Sequence, residues 1–156
     1  MTSFQGLEDI PASEVMSRLL GGPISHCEEL GIHVEAYDPP RLTMRLPYQE
    51  KLVADPESGV IHGGAVTTLV DTASGLISMA AARPPQAVAT LDLRIDYLRP
   101  GMRGFDILCT AEAYRVTKLI VFVKAEALQA EDGRQIAAAM GTFMITGHPL
   151  GSEARL

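Results

Sequence analysis

The segment Gly63 to Ala82 (GGAVTTLVDTASGLISMAAA) constrains the fold more than any other part of the chain. Its Ala, Val, Leu, Ile and Met side chains fall on nearly every face of a helix. A helix that is apolar all round is buried rather than laid on a surface. Asp71 sits in the middle of the run, and a charge there argues against a membrane span and for a core helix. Arg83-Pro84-Pro85 ends the segment, because a residue before proline is pushed out of the helical region.

Beyond that point the hydrophobic period changes from a helical one to two. Ala87 to Leu98 (AVATLDLRIDYL) alternates, with Leu91, Leu93, Ile95 and Tyr97 on one face and Asp92, Arg94 and Asp96 on the other. This is the pattern of a strand with two unlike faces. Pro100-Gly101 turns the chain, and Phe105–Val116, Leu119–Gln129 and Arg134–Thr146 read as three further strands. Thr117-Lys118 and Glu131-Asp132-Gly133 are their hairpin turns, the second carrying an Asp-Gly signal. Upstream, Pro11–Leu20 reads as a short amphipathic helix with Ser13 as its N-cap and Gly21-Gly22 as its stop. Pro23–Leu30 reads as another helical turn ended by Gly31. Ile32–Tyr37 and Arg41–Tyr48 read as strands separated by Pro39-Pro40, and Gln49–Gly59 as a polar loop.

The order is helix, two strands, a long buried helix, then a four-stranded antiparallel meander. The expected fold is α+β, a long central helix wrapped by a strongly curved antiparallel sheet. The sheet edge left over invites pairing with a second subunit. The expected division is an N-terminal helical extension over 1–22, a central domain over 23–147 and a C-terminal tail over 148–156. At 156 residues one such domain buries enough surface to fold without a disulfide or a metal.

Charge and composition remove several function classes. Nineteen acidic against 13 basic residues give a net charge of −6, which makes no electrostatic case for nucleic acid or an anionic membrane. Aromatic residues are 5% with no Trp, so a base-stacking surface is not expected. Cys27, Cys109 and the four His lack metal-ligand spacing, so no metal is expected. The two thiols read as buried small hydrophobes of a reducing compartment. The first ten residues lack a basic region followed by an apolar one, so no secretory leader is expected. The expected location is the cytoplasm.

The chemistry is concentrated where the polar loop enters the helix, at Ile61-His62-Gly63-Gly64-Ala65. Adjacent glycines admit close approach to the backbone. The first N–H groups of a helix lack internal partners, and the dipole there favours negative charge. A carbonyl placed against them is polarised and an oxyanion stabilised. The alternative is a tight turn that serves only close packing. Asp71 has no Lys or Arg at three or four residues' distance on either side. Either it is held by hydrogen bonds to Thr67, Thr68, Ser74 or a neighbouring strand, or it is a general base or nucleophile. Thr90, on the following strand, is either an ordinary β-branched residue or a hydroxyl that orients Asp71 or a water. His62 either caps the turn or donates to a ligand; His26, His33 and His148 carry no pattern and read as surface or packing residues.

Gly63 and Asp71 are eight residues apart, about 12 Å along a helix. An Asp side chain cannot span that distance. One straight helix therefore cannot bring both groups to one carbon, whereas two helices antiparallel across a two-fold axis can. If both groups act, the active unit is at least a dimer.

Gly59-Val60-Ile61-His62-Gly63-Gly64-Ala65-Val66, followed by Leu69-Val70-Asp71-Thr72-Ala73, then Thr90-Leu91-Asp92-Leu93, Tyr97-Leu98-Arg99-Pro100-Gly101 and Asp132-Gly133-Arg134, resembles the hotdog-fold acyl-CoA thioesterases, in particular the phenylacetate-pathway branch. The resemblance covers about residues 20 to 146. It implies the hotdog fold, dimers joined through sheet edges, tetramers made of two dimers, and hydrolysis of acyl-coenzyme A thioesters without a cofactor. Carried onto this chain, it implies that the Gly63 N–H polarises the thioester carbonyl and that Asp71 of the opposing subunit activates water or attacks. Thr90 stands near that carboxylate and His62 supports the turn. The same resemblance places Gly64 and Thr72 against substrate, and Asp55 at a loop position where the family commonly has Asn. An ionised Asp55 accepts hydrogen bonds but donates none to a carbonyl. Arg99, Arg115 and Lys118, with Arg103, are its candidates for the coenzyme phosphates; the family usually has Gly-Arg where this chain has Thr117-Lys118. The leading expectation is an acyl-CoA thioesterase. A non-catalytic acyl-CoA-binding module on the same fold is the alternative. A hydratase usually needs an Asp/His pair at another spacing, which is not found here.

Overall fold

The computed structural model describes residues 10–149. The leader reading of the first residues and nearly all of the 148–156 tail lie outside them. Helix α1 (Ala12–Leu20) buries Val15 and Leu19. Its N-cap is Pro11, with no side-chain cap bond, so Ser13 lies inside the helix and not at its start. Proline fits that boundary because its fixed φ leads into the helix and it has no N–H to leave unpaired. Helix α2 (Ser25–Leu30) ends on Gly31, whose φ of +72° is the left-handed conformation that glycine adopts at no steric cost.

Strands β1 (His33–Asp38) and β2 (Arg41–Leu46) form a hairpin over Pro39-Pro40. The loop beyond β2 is more ordered than a simple polar connection. It contains a 3-10 turn (Glu50–Leu52) and a short strand β3 (Val53–Asp55), which pairs with β4 (Val60–Ile61) immediately before the long helix. Helix α3 (Gly63–Ala81) is followed by β5 (Gln86–Tyr97), β6 (Ile107–Val116), β7 (Ile120–Gln129) and β8 (Gln135–Pro149). The last strand thus reaches Pro149, two residues into the segment 148–156 expected to be a tail.

Six strands form one antiparallel sheet in the order β1-β2-β6-β7-β8-β5. The wrapped helix is as expected, but the four-stranded meander is not. Only β6, β7 and β8 follow one another; β5 pairs with β8 and forms an edge. The reason lies in the connection after β5. It runs from Leu98 to Asp106, longer than a hairpin loop. Along it the Leu98 N–H donates to the Ile136 carbonyl, the Ile61 N–H to the Gly101 carbonyl and the Arg103 N–H to the Gly59 carbonyl. The chain is thus tied to β4, just ahead of α3, before it enters the middle of the sheet. Alternation identifies a strand but carries no information about its neighbour.

α3 lies on the concave face against β2, β5, β6, β7 and β8. Leu69, Val70, Ala73, Leu76 and Ile77 are buried there, with Leu42, Met44, Cys109, Val121, Val123 and Phe143 opposite them in the core. By length and composition α3 would pass for a membrane span, yet the sheet encloses most of it. Its burial is not complete, as an apolar-all-round helix would suggest. Gly64 and Thr67 are exposed, and Thr68, Asp71 and Thr72 are half-buried. These residues lie three and four apart, so they form one open stripe along the helix.

Candidate active site

The stripe is bounded by α2 on one side and β5 on the other. Beside Asp71 lies a cleft of about 480 Å³ lined by His26, Thr67, Thr68, Asp71, Thr72, Thr90, Leu93 and Ile95. A cleft of about 380 Å³ at the start of α3 shares His26 and Thr68 with it and adds His62, Gly64, Leu30 and Leu52. Together they make one groove along α3, from the glycine pair to the carboxylate.

β5 determines what faces that groove. Strict alternation would put Thr90 on the opposite face from Leu93, Ile95 and Tyr97. The pairing with β8 instead steps from Thr90↔Phe143 to Asp92↔Thr142, so Leu91 is an extra residue in a bulge. A bulge reverses the facing of everything on one side of it. Thr90 thereby joins Leu93 and Ile95 on the helix side, and Leu91 is 54% exposed. The Thr90 hydroxyl donates to Asp71 Oδ1 at 3.1 Å. Asp71 is therefore half-buried in the groove with a fixed orientation, not sealed in the core.

At the other end, His62 is the N-cap of α3, and its Nδ1 accepts the Gly64 N–H at 2.9 Å. An accepting Nδ1 leaves the proton of the neutral ring on Nε2. A Cβ on Gly64 would lie 2.8 Å from that Nδ1, so the cap requires glycine. With the Gly64 N–H committed, the Gly63 N–H is the first of the helix and has no intrahelical acceptor. The Gly63 carbonyl meets two hydroxyls, the Tyr97 OH at 2.9 Å and Thr67 Oγ1 at 3.1 Å.

Among the residues that the sequence singled out, the structure gathers His62, Gly64, Asp71, Thr72 and Thr90 along this groove, with Gly63 beside it as the first residue of α3. Thr72 also lies within 3.7 Å of the Cys27 sulfur, which fixes α2 over the helix. Burial pushes the Cys27 thiol up from its ordinary range. Asp55 lies apart from the groove. Its carboxylate accepts the Glu57 and Ser58 N–H groups, both at 3.2 Å, and the Ser58 hydroxyl, followed by these two bonds, holds its pKa below the usual carboxylate range. Arg103 donates to Glu50 at 2.7 Å and to the Pro56 carbonyl at 3.2 Å, so it braces the same loop. Arg99 donates to the Gln135 carbonyl at 3.3 Å, and Arg115 is exposed on β6. Lys118 lines a separate cleft of about 460 Å³ with Arg83, Gln86, Val116 and Leu119.

Two participants were not legible from the residues. His26 lines both halves of the groove and its Nε2 lies 3.4 Å from Thr68 Oγ1; nothing local marked it. Tyr97 read as an apolar strand residue, and only its position two residues from Ile95 on the helix-facing side of β5 could have signalled a polar role. Among the described residues no group of three or more His, Cys, Asp or Glu is placed to hold a metal ion.

A long helix cradled by an antiparallel sheet, with a carboxylate and a glycine-rich helix start opening on one groove, defines a hotdog-fold enzyme of thioester chemistry. The chain belongs to the thioesterase superfamily, whose sequence model matches residues 58–136, and it is a thioester hydrolase. A candidate esterase of Halobacterium salinarum is 38% identical over 125 residues, covering 74% of this chain and 81% of that protein. The medium/long-chain acyl-CoA thioesterase YigI of Salmonella typhimurium is 28% identical over 129 residues, 74% of this chain and 82% of its own. Among solved structures, the Escherichia coli PaaI protein from the phenylacetic acid degradation operon superposes with a TM-score of 0.77, covering 90% of this chain and 99% of PaaI. At 19% identity that likeness is one of fold.

Proposed function

We propose that this protein hydrolyses acyl-CoA thioesters to the free acid and coenzyme A, at sites formed between two protomers. The observation that carries the reading is the Asp71 carboxylate, oriented by Thr90 and open to a cleft that adjoins, through His26 and Thr68, the one lined by His62 and Gly64 at the start of α3. The thioester carbonyl sits against the Gly63 N–H of one protomer. Asp71 of the other takes a proton from water as the water oxygen adds to the carbonyl carbon, or itself attacks that carbon to give an acyl anhydride that water then hydrolyses. The oxygen that gains charge is stabilised by the N–H and the helix dipole. Collapse of the tetrahedral species expels the coenzyme thiolate. Gly64, Thr72 and the His62 turn line the approach. Asp55 acts by shaping the loop, and Arg99, Arg115 and Lys118 are the cationic positions for the coenzyme phosphates. The names of the acyl-CoA thioesterase relatives support the substrate class.

Two features support the assembly. β5 is an edge strand of 12 residues with Leu91 and Tyr97 exposed and Leu98 exposed just beyond it, and pairing it with a second β5 would satisfy its unpaired edge. On the convex face Tyr114, Met140 and Met144 are also exposed, an apolar surface suited to joining two dimers into a homotetramer. Free, buried Cys27 and Cys109 fit a reducing compartment such as the cytoplasm.

The test is thiol release from a panel of acyl-CoA substrates by wild type, Asp71→Asn and Gly63→Pro, with the two variants also unfolded and refolded together. Each variant alone should be nearly inactive. In a mixed dimer one site combines an intact Gly63 with an intact Asp71. Random mixing makes half the dimers mixed, with one good site in two, so activity should return to about a quarter of wild type. Normal turnover by Asp71→Asn, or no recovery on mixing, overturns the reading.

A further inference from the structure

We infer that Tyr97 is a positioning residue for the oxyanion donor, and that β5 thereby orients both reacting groups of its own protomer. The inference rests on the proposed role of the Gly63 N–H and goes beyond it by naming what holds that group still. Two adjacent glycines begin α3, and glycine loses more conformational freedom on ordering than any other residue. A donor in that setting contributes to catalysis only if something else fixes it. Gly64 is fixed by His62 Nδ1. Gly63 is fixed through its carbonyl by the Tyr97 hydroxyl at 2.9 Å, and that hydroxyl lies 2.7 Å from Thr67 Oγ1, which itself lies 3.1 Å from the same carbonyl.

The triangle has three short contacts and two hydroxyl protons. At least one proton lies on the Gly63 oxygen in each arrangement that uses both inside the triangle. The Tyr97 ring also backs the glycine, since a Cβ built on Gly63 would lie 3.6 Å from the ring carbon that bears the hydroxyl. The hydrogen bond on the carbonyl holds the Gly63–Gly64 peptide, the anchor from which the direction of the Gly63 N–H is set. Thr90 on the same strand holds Asp71, so the two residues act as a pair of clamps seven positions apart.

The experiment is Tyr97→Phe in the full-length chain, measured by thiol release from an acyl-CoA that wild type cleaves and normalised to folded protein by circular dichroism. The expected result is a fall in kcat of about tenfold, with KM within twofold of wild type. Thr67→Val lowers kcat less, and the double variant loses less than the product of the two single losses, because both hydroxyls act on one carbonyl. Asp71→Asn is run alongside. If Asp71→Asn is inactive while Tyr97→Phe keeps its kcat per folded chain, the clamp is refuted and the hydrolase reading stands. If KM rises with kcat unchanged, Tyr97 is a substrate contact and the positioning role is likewise refuted. If Asp71→Asn retains turnover, the underlying reading fails first.

Discussion

Replacing Gly63 by proline removes one hydrogen atom's worth of chemistry with little disturbance of the backbone. Proline is favoured at the first position of a helix, where its missing N–H costs no helical bond. The residue before a proline must be extended, and His62 already has φ −60° and ψ 127°. The nearest group to a new Cβ is the Tyr97 ring at 3.6 Å, ordinary van der Waals contact. Stability should therefore hold or rise by about 0.4–1 kcal/mol, through the stiffer unfolded chain. Loss of a preorganised oxyanion donor costs about 2.7–4 kcal/mol of transition-state stabilisation, a fall in kcat of about 10²–10³. The proline ring also occupies the space of the lost hydrogen, so part of the loss enters KM. Gly63→Ala, which keeps the N–H, should lose far less. The assay is thiol release with a chromogenic thiol reagent, alongside thermal unfolding. Turnover within about threefold of wild type, in a Gly63→Pro variant that melts normally, would refute the assignment of the Gly63 N–H.

Thr90→Val removes the bond to Asp71 and should lower kcat by about tenfold, with Thr90→Ser restoring most of it; equal rates for Val and Ser would show that the hydroxyl is idle. Gly64→Ala drives a Cβ to 2.8 Å from His62 Nδ1, so the cap is lost and stability should fall by about 1 kcal/mol in thermal unfolding. Asp106 accepts the Tyr48 N–H and Arg45 Nη1, both at 2.8 Å, and these partners hold its pKa below the usual carboxylate value. Its contribution is in force above pH 4 or so and is lost as pH falls toward the lowered folded pKa. Wild type should therefore lose stability relative to Asp106→Asn as pH falls below about 4; parallel pH–stability curves would exclude this. Burial pushes the Cys109 thiol to about 12 and raises Cys27 as well. The native protein should thus give almost no signal with the thiol reagent until unfolded, which stopped-flow mixing would check.

The long helix, its termination at Arg83-Pro84, the strands and their hairpin turns were legible because local periodicity and turn chemistry encode them directly. The glycine pair and Asp71 stood out because each violates the expectation for its surroundings: flexible residues at a helix start and a carboxylate in an apolar run. If Gly63 and Asp71 act on one carbon, their eight-residue spacing requires a second protomer, since helical rise is fixed by covalent geometry.

Only the tertiary structure decided that β5 pairs with β8, because alternation marks a strand without naming its neighbour. It alone revealed the bulge at Leu91, one extra residue that turns Thr90 toward Asp71 while leaving Tyr97 over Gly63. It also brought His26 from α2 to the groove, across 42 residues of chain to Thr68. The sequence states which groups are available; which of them meet depends on strand register and on contacts between residues distant in the chain, and no local pattern records those.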